Sequence, residues 1–282
     1  YFLLIFIVLN FKRNYEKFNF RQLIISNFTI PIVLSVSSYS VGFHYDAALY
    51  HLNTQGWIIG EKIVLGLSNI YLPLGFSTIN EYVLANFWIN ENFIYHHFVN
   101  LAFLTMFYSF IYNFIFQSGI KYYKFLGIFI IAYGFLDNFG INGGNNGFIN
   151  IQGIGKVDNN FAIVFFLTSI FFIHSIKNET YKKIDLLVLS LLTLFAIQMK
   201  IYGYGLFIFY FYYLINFIKT NENYFKKLKV VVPSIMLGIL WLLKSYLKTG
   251  CLIYPIDFLC FSNLTWYANR TNLLTADTRE FH

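Results

Sequence analysis

The chain has 282 residues, of which 57% are hydrophobic and only 12% charged, and its formal net charge is +7. A soluble domain carries about 25% charged residues, roughly twice this share, and so apolar a chain lacks the polar surface to cover a water-facing globule. A soluble enzyme, a disordered chain and a disulfide scaffold are excluded; an all-α polytopic membrane protein remains.

A bilayer core of about 30 Å asks for about 20 apolar residues per helix, and the apolar stretches give about eight spans. The first, residues 1–9, is apolar from its first residue and opens without Met, so it reads as the remainder of a helix cut at its N-terminus, in a chain also unfinished at its C-terminus. Residues 22–41 follow, with Pro31 as an expected kink of the kind that lipid-buried helices tolerate. Next come 93–116 and 122–136, the latter short enough to be a partial or re-entrant helix. The remaining spans are 161–176, 184–199, 201–218 and 230–247.

Lysine and arginine placement orients them. Alternate connections carry Lys12, Arg13, Lys17 and Arg21, then Lys121 and Lys124, then Lys177, Lys182 and Lys183, then Lys219, Lys226, Lys227 and Lys229, most of the 20 basic residues. Most of the 13 acidic residues fall in the other set of connections. Short basic loops therefore face the cytoplasm and longer acidic ones face out. The basic charge reads as topology, with no nucleic-acid partner implied. The chain is then a single integral membrane domain over 1–282, with outer segments at 42–92, 140–160 and 251–282. The inner loops are too short for a catalytic domain, which puts any chemistry at the outer face. The aromatic share of 22% accompanies abundant Ile, Asn and Lys, and reads as compositional drift rather than a ligand cage.

The densest polar cluster is His44-Tyr45-Asp46-Ala47-Ala48-Leu49-Tyr50-His51, just past the second span. Asp46 before Ala-Ala-Leu has the pattern of a helix N-cap, yet a carboxylate flanked by two His and two Tyr also suits a general base or a ligand for a divalent metal such as Mg or Mn. The stretch from Trp57 through Glu61 to Phe76 alternates amphipathic helix with turn signals and is expected along the interface, with Trp57 as anchor. The Gly-rich run 140–155 is no phosphate loop: Walker A spacing needs Gly at 150 and Ser or Thr at 157, where Asn150 and Val157 stand. Asp158 precedes the span beginning at Phe161, either as its cap or as a second carboxylate level with Asp46. Lys200 sits between two spans, and Lys244 lies inside the last one near its outer end. With Lys248 and Arg270 they suggest a cationic pocket at headgroup depth, suited to a phosphate or pyrophosphate. His96 and His97, opening the third span, read as interfacial. Cys251 and Cys260 lack metal-binding or redox spacing and fit a disulfide or two free thiols.

Together, Asp46, Leu49, Tyr50, His51, Trp57, the Gly66-Leu67-Ser68-Asn69 and Leu74-Gly75-Phe76 pieces, Asp158, Lys200, Trp241, Lys244, Gly250, Leu252, Tyr254 and Pro255 resemble membrane proteins of bacterial surface-polysaccharide (O-antigen or capsule) clusters. These are similar to GT-C-type glycosyltransferases. The resemblance covers residues 41–255 and implies a GT-C-like fold in the bacterial inner membrane with its site facing the periplasm or exterior. It implies sugar transfer from a polyprenyl-phosphate donor to a glycan or lipid-linked acceptor. Carried over, Asp46 is the loop acid, Asp158 a candidate second carboxylate, and Lys200 and Lys244 phosphate contacts; the polar cluster and the outer cations add Tyr50, His51 and Arg270 as substrate-binding residues. The chain departs from the family by having Tyr45-Asp46 where GT-C loops often carry two adjacent acids. An O-antigen polymerase-like enzyme is the alternative, although only Arg270 and Arg279 supply the outer arginines that class uses. A transporter or flippase is the non-enzymatic one, although no internal repeat is visible.

Overall fold

The computed structural model describes residues 21, 24–36, 42–61, 63–76, 78–90, 92–116, 121–138, 154–155, 158–177, 181–221, 224–256 and 259–267. The span expected at 1–9, most of the Gly-rich loop and Arg270 lie outside them. Among the described residues all regular structure is helical, with only isolated bridges besides. In chain order the helices are α1 (Ile25–Val36), α2 (Leu52–Gly60), α3 (Ile79–Ala85), α4 (His96–Phe116), α5 (Lys121–Asn138), α6 (Asp158–Lys177), α7 (Lys183–Met199), α8 (Leu206–Thr220), α9 (Tyr224–Leu228) and α10 (Val232–Thr249).

The chain forms two compact units, residues 1–40 with 101–151 and residues 41–100 with 152–282. The first holds α1, the body of α4, and α5. Pro31 has no N–H to donate, and the turn before it widens to π geometry over Ile25–Thr29. The stretch expected at 122–136 is a helix of 18 residues. Gly127 lets it approach α4, since a Cβ there would stand 2.7 Å from Cγ1 of Ile115.

In the second unit α6, α7 and α8 pack around Phe172, Leu186, Leu189, Tyr213 and Phe217. Lipid tails are as apolar as these side chains, so close van der Waals fit and buried hydrogen bonds hold such helices together. Phe172 meets Tyr213 edge to face at 5.8 Å, and the hydroxyls of Ser190 and Ser234, 2.8 Å apart, join α7 to α10. Among the described residues three stretches are long and apolar enough to cross a membrane: Asp158–Ile176, Ile201–Thr220 and Lys229–Thr249. Ile208, Phe211 and Ile215 on α8, and Ile235, Ile239 and Leu243 on α10, follow helical spacing and are all exposed. Apolar stripes of this kind are compatible with lipid and costly in water.

The joint between α7 and α8 is tight. A Cβ on Gly203 would stand 2.4 Å from the backbone carbon of Ala196, so only glycine lets the chain double back there. Lys200 is fixed at this corner in extended conformation.

The segment 42–92, expected on the outer side, folds into α2, two 3₁₀ turns (Leu67–Asn69 and Leu72–Gly75) and α3. It is strapped to the segment after α10. Gly75 lies under the ring of Tyr254, where a Cβ would come within 2.8 Å. The Tyr254 hydroxyl donates to the Leu72 carbonyl at 2.9 Å, and the Asn69 amide to the Trp266 carbonyl at 2.8 Å. Of the two states open for the cysteines, the structure has the disulfide Cys251–Cys260. Sequence pieces far apart in the chain are thus contact partners.

Candidate functional site

The turn carrying Asp46 explains its position. Residues Ala47–His51 form a π-helical turn leading into α2, a geometry often found at functional sites. The helix has already begun at Tyr45 and Asp46; its capping acceptor is Nδ1 of His44, which takes the Asp46 backbone N–H at 3.4 Å, while the Asp46 side chain makes no capping hydrogen bond. The carboxylate lies instead 3.5 Å from Nδ1 of His44 and remains partly exposed. The extra width of the turn leaves carbonyls over, and the Asn53 amide donates to those of Ala48 at 2.9 Å and Leu49 at 3.1 Å.

The start of α6 is laced to this turn. Backbone N–H groups of His44 and Ile154 donate to the carbonyls of Ile154 and Gly42 at 2.9 and 3.1 Å. Gly155, at φ +93°, then presses on Ala47, where a Cβ would meet the Ala47 Cα at 2.6 Å. Only glycine fits on both counts, and the chain so directed delivers Asp158 at the head of α6. Asp158 accepts a hydrogen bond from Nζ of Lys200 at the α7–α8 corner. Burial first, then the negative charges of Asp46 and Glu81, with a smaller contribution from Asp158, hold the Tyr50 phenol well above its usual value of 10.0. Asp46, Tyr50, Asp158 and Lys200 are therefore one neighbourhood.

At its floor lies Glu81, only 2% exposed. Thr78 caps α3 by accepting from the Glu81 backbone N–H at 3.3 Å, and the Glu81 carboxylate turns to α2. It bonds Nδ1 of His51 and accepts from the Gln55 amide at 2.7 Å. The Gln55 oxygen in turn accepts from the indole N–H of Trp88 at 2.6 Å. His51 is thus a buried partner of Glu81 rather than a solvent-facing group. His96 and His97 are buried too, at 2% and 8% exposure. The charge of Glu81 acts on both Tyr50 and Lys248.

The expected cationic pocket divides. Lys200 pairs with Asp158 as described. Lys244 and Lys248 line a separate cavity of 220 Å³ with Trp57, Glu61 and Tyr82 in its wall. Nζ of Lys244 lies 3.0 Å from the Trp241 ring centroid and 4.4 Å from that of Tyr82. Lys248 is buried and donates to the Phe76 carbonyl at 3.1 Å. Trp57, expected as an interfacial anchor, forms part of this wall. The metal expected at Asp46 finds no cage: among the described residues no three His, Cys, Asp or Glu side chains gather to hold an ion.

A family model described as a domain of unknown function (DUF8201) matches residues 3–281, nearly the whole chain. The chain belongs to that family. No curated protein and no solved structure matches it.

Within this DUF8201 chain, sequence reasoning passed over Glu81 as one more outer acid. Two signals were present. Thr78-x-x-Glu81 is a capping-box spacing, and Glu81 lies three and four residues before the buried Leu84 and Ala85, on the helix face that packs inward. Gln55 and Trp88 gave no such signal, because their pairing depends on how α2 meets α3.

Proposed function

We propose that this chain is a glycosyltransferase of bacterial surface-polysaccharide assembly, with about eight GT-C-like spans and its site at the outer face of the inner membrane. A polyprenyl-phosphate-linked sugar is the donor and the hydroxyl of a glycan or lipid-linked glycan the acceptor. Asp46 takes the acceptor proton, and the freed oxygen bonds to the anomeric carbon. The bond from that carbon to the phosphate oxygen breaks, and its electron pair leaves with the phosphate. Lysines offset the charge that develops there: Lys200 once it exchanges Asp158 for phosphate, with Lys244 and Lys248 holding the rest of the anionic donor. The raised Tyr50 phenol keeps its proton and serves as a hydrogen-bond donor beside Asp46. No step runs through a metal.

The observation that carries this reading is that the Asp46 carboxylate caps nothing and stays partly exposed beside His44, on the turn that Gly155 presses against three residues before the Asp158–Lys200 pair. Asp46→Asn is the test. Asn is nearly isosteric and keeps the local fold, but takes no proton at this site. Membrane expression stays normal, and glycan product in a deletion strain falls on the order of 10²–10⁴-fold. Full complementation by the Asn variant would remove Asp46 from the chemistry.

A further inference from the structure

The larger cavity of the outer segment, 690 Å³ in volume, takes no part in the steps above. Three aromatic rings line it: Trp57 from α2, Tyr71 ahead of the second 3₁₀ turn, and Trp88 after α3. The Trp88 ring is fixed by its bond to Gln55, whereas Tyr71 is 43% exposed. Hydrogen-bonding groups stand among the rings. Glu61 brings the cavity's one charged side chain, and Asn53, whose nitrogen is engaged with the Ala48 and Leu49 carbonyls, brings an amide oxygen that can accept.

Gly56 and Gly60 complete the α2 wall. Glycine within a helix is destabilising, and packing among the described residues requires neither one. A Cβ at Gly60 would meet nothing within 4 Å, and at Gly56 only the edge of the Trp88 ring at 3.9 Å. The helix leaves backbone bare where no other described residue fills the space.

The lining selects its ligand by sign and shape. Glu61 repels a phosphate or another carboxylate. A hydrocarbon tail would strand the Glu61 carboxylate and the Asn53 amide without partners. A pyranose meets both demands, because its C–H faces stack on aromatic rings while its hydroxyls reach acceptors at the edge. We propose that this cavity binds an uncharged sugar ring, stacked on the Trp57, Tyr71 and Trp88 rings with its hydroxyls donating to Glu61 and Asn53. Its role as the acceptor subsite rests on the glycosyl-transfer reading; the binding itself does not.

The test is a titration of the full chain in nanodiscs, followed by tryptophan fluorescence, without donor. Probes are the neutral methyl glycosides of glucose, galactose, mannose and N-acetylglucosamine, with methyl glucuronide as the charged counterpart. At least one neutral glycoside gives a saturable change in the millimolar range. Tyr71→Ala weakens it at least about fivefold, the loss of one ring contact. Methyl glucuronide binds more weakly than methyl glucoside, and Glu61→Gln narrows that gap. Both side chains are exposed, so the variants fold. No saturable response to any probe, an unchanged affinity in Tyr71→Ala, or a glucuronide preference would each overturn the proposal. Because no transfer is measured, a failed sugar site and a failed transferase reading give separate results.

Discussion

Two carboxylates of this molecule each meet a basic partner, and their surroundings give them opposite uses. Glu81 and His51 are buried, with side chains 3% and 8% exposed, whereas Asp158 and Lys200 are 50% and 32% exposed. A buried pair of this kind cannot exchange partners without leaving polar groups unsatisfied. An exposed pair contributes little to stability and can release its lysine to an incoming phosphate at small cost. The buried pair fixes the scaffold, and the exposed one is available for chemistry.

Four variants sharpen or break that contrast. Glu81→Ala is expected to have the largest effect on stability, since it strands His51 and Gln55 in the interior; a loss of about 2–5 kcal/mol follows, read as a lowered unfolding midpoint in detergent. A midpoint equal to wild type would mean that the network does not hold α2 to α3. Gly155→Ala should cost about 1–3 kcal/mol through its positive φ and should also move Asp158 away from Asp46, so product falls more than the stability loss explains. Were product and stability to fall in proportion, the lacing of α6 to the π turn would be structural only. Asp158→Asn, by contrast, should change stability by less than about 1 kcal/mol while reducing glycan product, and equal losses in both measurements would erase the distinction between the pairs.

The smallest expected effect is at Tyr50. Its phenol is held above the ordinary value of 10.0 by burial and then by Asp46 and Glu81, so the folded chain keeps a proton that the unfolded chain releases above pH of about 10. Stability from this group is fully present below that pH and is lost progressively as pH rises from there through the raised value of the folded chain. Tyr50→Phe should therefore flatten the alkaline decline in unfolding midpoint relative to wild type. Parallel curves would place Tyr50 outside the influence of those carboxylates.

Much of the helical plan was legible because apolar length is a strong signal. The ends of α7 and the corner at Lys200 fall where hydropathy and the lone lysine put them. The short pieces around Gly66, Gly75 and Tyr254 were visible as motifs, while their contact was not, since nothing local links residues so far apart in the chain. The π turn at Ala47–His51 was hidden because its residues fit an α-helix as well, and its contact with Gly155 comes from another segment. Glu81 was misjudged for a related reason. Its carboxylate is tolerable inside only because α2 brings His51 and Gln55 to it, a pairing that hydropathy cannot report. The same holds for the lysines, which charge alone groups into one pocket and packing divides between two places.

Trp57 and Glu61 border both the lysine-lined cavity and the larger aromatic one. They form a party wall between two compartments of opposite charge preference. A ligand that shifts this indole from one side changes the room on the other, and thermodynamic linkage makes the influence mutual: an anion that raises the affinity for a sugar by some factor has its own affinity raised by that factor. Order of addition is then a property of a single shared ring, without any large movement of the helices.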